Sequence, residues 1–263
     1  MNKHIGTLAR WRMQIFAVTW LAYAAFYFTR KAFSVAKLGI AEDPSFTLDK
    51  MAMANLDAIY LAAYAIGQFT WGMLADRFGP RVVVLGGLLI SAAAALVMGS
   101  FATLPIFATC MLIQGLAQST GWSGLCKNLG SFFPSEQRGR VLGLWSSCYA
   151  FGGLVASPFA GWWAYTLIGS WHAAFISSAA VVAVVAVLFF IFQRDKPEDV
   201  GLPAVEPEPV ISAEEAEANS KLSVWEPLKE ILRNRTVLVL GLAYFLLKPA
   251  RYAILLWGPV IVF

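Results

Sequence analysis

The sequence predicts an all-α membrane protein, and three observations carry that prediction. Of the 263 residues, 59% are hydrophobic and 14% charged, where a soluble domain holds about 45–50% and about 25%. The charges are also segregated: residues 58–75, 82–99, 104–126, 141–171 and 173–192 contain no Asp, Glu, Lys or Arg. Each of these stretches is close to or beyond the roughly 20 residues that a helix needs to cross a bilayer. Finally, the basic residues fall on alternate connections, as they do when positive charge is retained in the cytoplasm.

Two more spans contain charges. The first covers residues 15–28 and continues through Arg30 and Lys31. Lys3, Arg10 and Arg12 precede it like the basic start of a signal peptide, but the apolar segment is too long and further spans follow. The last covers residues 236–263, interrupted by Lys248 and Arg251. With a cytoplasmic amino terminus, the inner segments hold Lys3, Arg10, Arg12, Arg77, Arg81, Lys127, Arg138, Arg140, Arg194, Lys196, Lys221, Lys229, Arg233 and Arg235, and the outer loops only Lys37 and Lys50. That skew accounts for the net charge of +4 without a nucleic-acid partner. Cys110, Cys126 and Cys148 all lie within predicted helices, without metal or redox spacing, and read as small packing residues.

The expected organisation is a six-helix array over residues 1–193, a cytoplasmic linker over 194–235 and a seventh helix over 236–263. The linker is polar, Pro- and Glu-rich and lacks an apolar core of its own. At its end Trp225, Leu228, Ile231 and Leu232 share a helical face beside Lys229, Arg233 and Arg235. That pattern fits a helix lying on the membrane or a solvated connector. Six helices, a charged linker and the opening of another array follow the half-plus-half plan of major facilitator transporters. Because Phe263 ends inside an apolar run, the expectation is a fragment: the amino-terminal half plus the first helix of a second half, lacking about five further helices.

Between the second and third spans, "GMLADRFGPR" (Gly72 to Arg81) resembles the facilitator-superfamily loop G-x-L-a-D-R-x-G-x-[RK]. Asp76 at a helix end suits charge-assisted hydrogen bonds from basic groups, with Arg77, Arg81 and Arg138 the nearby candidates, and Gly72 and Gly79 permit close packing and a tight turn. Such a cluster would latch the cytoplasmic side; alternatively, it only keeps positive charge inside.

Arg30 raises the functional question. At about 1.5 Å per residue it lies roughly 22 Å into the span counted from Ile15, beyond the midplane. Thr19, Tyr23, Tyr27, Arg30 and Ser34 recur at intervals of three and four and so share one face. An intramembrane Arg costs at least ~2.5–3.5 kcal/mol and turns to the bundle interior, unless it snorkels to the interface, an alternative that stands more strongly for Lys31. The seventh span repeats the spacing with Tyr244, Lys248 and Arg251, and Pro249 frees a carbonyl one turn back. In the two-half plan these helices face one cavity. Converging cations without an acid call for an anion with paired oxygens, such as phosphate, and a phosphate monoester is mostly a dianion above its second pKa near ~6. Tyr60, Tyr64 and Gln68 on the second span extend the lining, with aromatic packing as the alternative for Tyr60.

Together "YFTRKAFS", "LIQGLAQSTGW", "QRGRVLGLW", "DKPEDVGLP" and "RYAILLWGP" resemble the organophosphate:inorganic phosphate antiporters, which include glycerol-3-phosphate and hexose-6-phosphate transporters. The likeness spans essentially the whole chain and about half of a complete member. It implies a phosphate site built from one Arg of each half, at Arg30 and Arg251, with Tyr23 and Tyr27 lining the pore. The chain departs from the glycerol-3-phosphate branch at three positions: Gln68 stands for a Lys, Tyr149 for a His and Lys248 for a Tyr. One basic group has in effect moved from the second span to the seventh, which leaves the organic part of the substrate open.

The resulting expectation is a secondary transporter exchanging an organophosphate for inorganic phosphate, without cofactor. Its substrate contacts would be Arg30, Arg251, Lys248, Tyr27, Tyr23, Gln68 and Tyr149, and it would be a monomer in a bacterial inner membrane. A membrane sensor for a sugar phosphate is the alternative. A proton-coupled drug exporter is disfavoured because Asp57 lies at a helix edge and no other acid is embedded. An enzyme is disfavoured because no nucleophile–base pair, metal constellation or phosphate loop G-x-x-x-x-G-K-[ST] occurs.

Overall fold

A computed structural model describes residues 2–206 and 232–262. In chain order the helices are α1 (Asn2–Glu42), α2 (Lys50–Phe78), α3 (Pro80–Ser100), α4 (Leu104–Phe132), α5 (Ser135–Trp145), α6 (Ser147–Gly161), α7 (His172–Phe192) and α8 (Arg235–Val262). A π-helical turn, Trp162–Ile168, follows α6, and a 3₁₀ turn, Pro197–Val200, follows α7. No strand occurs among the described residues. The surface helix considered around Trp225, Leu228 and Ile231 lies outside them.

Local chemistry sets the boundaries. The Asp49 carboxylate accepts from Ala52 N at 2.7 Å and caps α2. Prolines open α3 and α4, where a missing N–H costs nothing. Gly79, between α2 and α3, has φ +82°, and a Cβ there would sit 2.6 Å from an Asp195 carboxylate oxygen. Only glycine fits both demands.

By length and apolar composition alone, three described helices qualify as membrane-crossing: Pro80–Ser100, His172–Phe192 and Arg235–Val262. α5 and α6 are each too short to cross a bilayer alone, and α1, α2 and α4 carry buried polar or charged residues such as Arg30, Asp57 and Gln118. α1 lies at the centre, packed against α4, α6, α7 and α8, while α2 and α3 pack on α4. Gly115 shows how close α2 and α4 come, since a Cβ there would lie 2.4 Å from the Tyr60 carbonyl oxygen.

The structure corrects three expectations. The fifth span begins at Ser135, bends at Ser146 between α5 and α6, and passes Pro158 into the π-helical turn. A charge-free stretch carries no mark of such bends. Lys37 is not in an outer loop: α1 continues to Glu42, and Lys37 is 1% exposed. Asp57 is not at a helix edge but in the second turn of α2, 4% exposed, with Oδ2 2.5 Å from Lys37 Nζ. The two corrections have one cause, because each ion is the other's counter-charge.

Lys31, for which the interface was an alternative, is buried too, and its ammonium donates to the Leu255 carbonyl of α8. Ser34 Oγ donates to Leu256 O at 2.7 Å and Lys37 Nζ to the same oxygen at 3.1 Å. The Trp257 ring lies 3.9 Å from Lys37 Nζ. Pro259 explains part of this reception: without an N–H it leaves the Leu255 carbonyl, four residues back, unclaimed by α8. The C-terminal third of α1 therefore holds α8 through cations and backbone carbonyls.

Removing one member of a buried pair strands the other charge, at about 3–5 kcal/mol. Lys37→Met is therefore expected to lower the thermal midpoint in detergent strongly, and Lys37→Met with Asp57→Leu to recover most of the loss. A double variant as unstable as the single one would show that the pair is not the coupled unit.

Candidate functional site

Between α1, α2, α4, the α5–α6 bend and α8 lies a cavity of about 500 Å³. All seven residues expected to meet substrate line it: Tyr23, Tyr27 and Arg30 from α1, Gln68 from α2, Tyr149 from α6, and Lys248 and Arg251 from α8. None of its described lining residues is Asp or Glu. A larger groove, about 590 Å³, is lined mostly by apolar side chains such as Trp163, Ile176 and Val184, and has no Lys or Arg. It offers a charged ligand no counter-ion.

Arg30 is 5% exposed. Its Nε donates to Gln118 Oε1 at 3.0 Å. The guanidinium carbon lies 4.6 Å from the Tyr27 ring centroid and 4.9 Å from that of Tyr64, within cation–π range. Nη2 is buried without a hydrogen-bond partner. A buried guanidinium N–H with no acceptor costs more than the one or two kcal/mol of a typical neutral donor.

Across the cavity Arg251 places its guanidinium carbon 4.6 Å from the Tyr149 ring. The Lys248 ammonium lies 5.5 Å from the Tyr252 ring and 5.9 Å from the Tyr244 ring. Rings rather than carboxylates face all three cations, which leaves their charge available.

The polar face of α1 divides by depth. Tyr23, Tyr27 and Arg30 reach the cavity, Ser34 holds α8, and Thr19 accepts from Trp145 Nε1 at 3.1 Å. Trp145, Trp122 and Tyr23 form a mutual aromatic cluster with centroids 5.4–5.6 Å apart. Tyr60 does not line the cavity; it is buried behind Arg30 and donates to Gln118 Oε1 at 2.8 Å.

Asp76 and Arg77 are in the last turn of α2, and the Arg77 guanidinium stacks over Phe78 at 5.4 Å. Arg81 instead serves α7: its N–H donates to Asp195 Oδ1 at 2.7 Å and its Nη2 to Phe190 O at 2.6 Å. Burial pushes the Asp195 carboxyl above its ordinary range, and the hydrogen bond from Arg81 N opposes it. Arg138 bonds the Gly130 and Phe133 carbonyls at the end of α4 and pairs with Glu206 of the linker at 2.7 Å.

With the helical array and its central cavity defined, comparison with known proteins places the chain. Residues 19–263 match the Major Facilitator Superfamily. The chain belongs to that superfamily. Major facilitator proteins are multi-pass membrane transporters rather than enzymes. The chain is 29% identical over 262 residues to the probable hexose phosphate transport protein of Chlamydia trachomatis, covering 95% of this chain and 57% of that one. It is 26% identical over 265 residues to the phosphoglycerate transporter protein of Salmonella typhimurium, covering 97% and 57%. The chain thus spans a little over half the length of these curated relatives. A solved bacterial homolog of the human lysosomal transporter Spinster, inward-facing and unoccupied, superposes with TM-score 0.72 at 16% identity, over 95% of this chain and 55% of that one. That likeness establishes the major facilitator fold and nothing finer.

Four lining residues, Trp122, Ser146, Tyr252 and Leu255, and Gln118 behind them escaped the sequence reasoning as site members. Tyr252 stands four residues after Lys248 and eight after Tyr244, so its place on that face was available from spacing. Gln114 and Gln118, four apart in a charge-free span, were a comparable signal. Ser146 sits at the break between α5 and α6, which the charge-free sequence does not mark.

Proposed function

We propose that this chain supplies the substrate site of a secondary transporter that exchanges an organophosphate for inorganic phosphate by alternating access. The observation that carries the reading is a cavity with three cations, no described carboxylate, and one guanidinium nitrogen buried without a partner. Guanidinium forks match paired phosphate oxygens, and a phosphate dianion offsets Arg30 and Arg251 in a way a monoanion does not. Lys248 adds a third positive group beside Arg251, and Tyr23, Tyr27, Tyr149 and Gln68 offer donors and ring faces to the organic portion. The names of the similar proteins, which concern hexose phosphate and phosphoglycerate, support the same class.

In this reading residues 1–193 act as one rocking unit, residues 194–235 connect it, and residues 236–263 open the opposing unit. The amino terminus is cytoplasmic, and the protein works as a monomer in a bacterial inner membrane. An empty cavity leaves like charges repelling across the gap between the units. A bound dianion removes that repulsion, so the loaded carrier reorients and the empty one stays, which gives exchange. Asp76, Arg77, Arg81 and Arg138 would steady the cytoplasmic ends through this movement.

Reconstituted protein of natural length is expected to show phosphate efflux strongly stimulated by phosphate on the opposite side of the membrane. Arg30→Lys, which loses the bidentate fork, is expected to weaken phosphate binding roughly ten- to hundredfold, the equivalent of losing a charged hydrogen bond or more. Equal efflux with and without phosphate on the far side would reject exchange. Phosphate binding with no flux at all would favour a sensor.

A further inference from the structure

The group that holds Arg30 is as informative as the cavity it faces. Gln118 of α4 is fully buried and forms the hub of a neutral cluster drawn from four helices. Its Oε1 accepts from Arg30 Nε at 3.0 Å and from Tyr60 OH at 2.8 Å. Its Nε2 faces Thr29 Oγ1 at 3.2 Å, Ser91 Oγ at 3.2 Å and Gln114 Oε1 at 3.0 Å. Thr29 and Ser91 hydroxyls are themselves 2.9 Å apart, and Gln114 Nε2 donates to Ser91 O at 3.4 Å.

This pattern permits one orientation of the amide. Arg30 Nε can only donate, so the carbonyl oxygen must face it; the reversed amide would set two donors against each other there and oppose its oxygen to Gln114 Oε1 at the other end. Because the opposite end is locked by α1, α3 and α4, the oxygen is a fixed point. Bonding at Nε immobilises one edge of the guanidinium and leaves Nη2 free of any partner. The acceptor is also uncharged. A carboxylate at this distance would hold Arg30 equally well but would cancel its charge.

We infer that Gln118 is the positioning residue of the anion site: it fixes Arg30 through a neutral carbonyl, so that the guanidinium is oriented yet keeps its full charge for the ligand. This rests on the phosphate reading of the cavity. It implies that the preference for a dianion is set one layer behind the lining, by the absence of a negative charge at residue 118.

The test uses the natural full-length protein and two probes, inorganic phosphate as the dianion and dimethyl phosphate as a monoanion. Gln118→Glu keeps the bond to Arg30 Nε and adds the cancelling charge. Phosphate affinity is expected to fall at least about tenfold, and preference for phosphate over dimethyl phosphate to collapse, alongside some loss of thermal stability because the second carboxylate oxygen meets Gln114 Oε1. Gln118→Met removes the acceptor but no charge, so affinity for both probes is expected to fall together with the preference retained. A role confined to packing would move both probes equally in both variants. Phosphate binding unchanged in either folded variant, while Arg30→Lys loses it, overturns the assignment of Gln118 alone. Unchanged binding in Arg30→Lys overturns the phosphate reading itself.

Discussion

A guanidinium buried among helices with no carboxylate beside it is the constraint on which this architecture depends. Placing Arg30 inside the bundle costs at least ~2.5–3.5 kcal/mol on membrane-insertion scales, and the usual remedy, an acid on a neighbouring helix, is not what its surroundings supply. They offer two tyrosine rings and an amide oxygen. Those contacts lower the cost without cancelling the charge. To gather them, α4 must approach α1 and α2 closely, and small residues permit it: a Cβ at Gly121 would meet the Phe26 ring at 2.9 Å, and one at Gly115 would meet α2 backbone. The packing of the core and the polarity of the cavity are thus one arrangement.

The same helix solves the opposite problem a few turns away. Toward its C-terminal end α1 carries Lys31 and Lys37, and there the charges are occupied by the α8 carbonyls at Leu255 and Leu256 and by Asp57. α1 therefore passes from a cation faced by rings and an amide, Arg30, to cations that hold α8. Pro259 contributes by withholding an N–H that would otherwise compete for the Leu255 carbonyl. In a protein whose proposed work is to rock one array against another, a contact made of backbone carbonyls and ammonium groups suits repeated opening better than a dry interdigitated seam, because the freed partners can be hydrated.

Much of this was legible in the chain and some of it was not, for identifiable reasons. The recurrence of Tyr23, Tyr27 and Arg30, repeated by Tyr244, Lys248 and Arg251, encodes a shared face directly, and all six reach one cavity. What spacing does not encode is pairing between helices. Lys37 reads as a loop residue because a charge near the end of an apolar run is ordinarily at the interface; only the fold brings Asp57 to it. Tyr60 shares a face with Tyr64, yet it points at Gln118, since the angular width of a helical face covers both a lining and the layer behind it. The bend at Ser146 and the π-helical turn after Gly161 have no breaker that distinguishes them from the glycines and prolines helices tolerate in membranes.

The central claim is that the cavity presents uncompensated positive charge suited to a doubly charged phosphate. It is tested most directly by measuring binding of glycerol 3-phosphate to the purified full-length protein between about pH 5 and about pH 7.5, across the second ionisation of the ester near pH ~6. The guanidiniums stay charged throughout, so affinity should climb as the ester loses its second proton and then level off. Affinity that is the same at both ends of that range, or that declines toward neutral pH, would contradict the account.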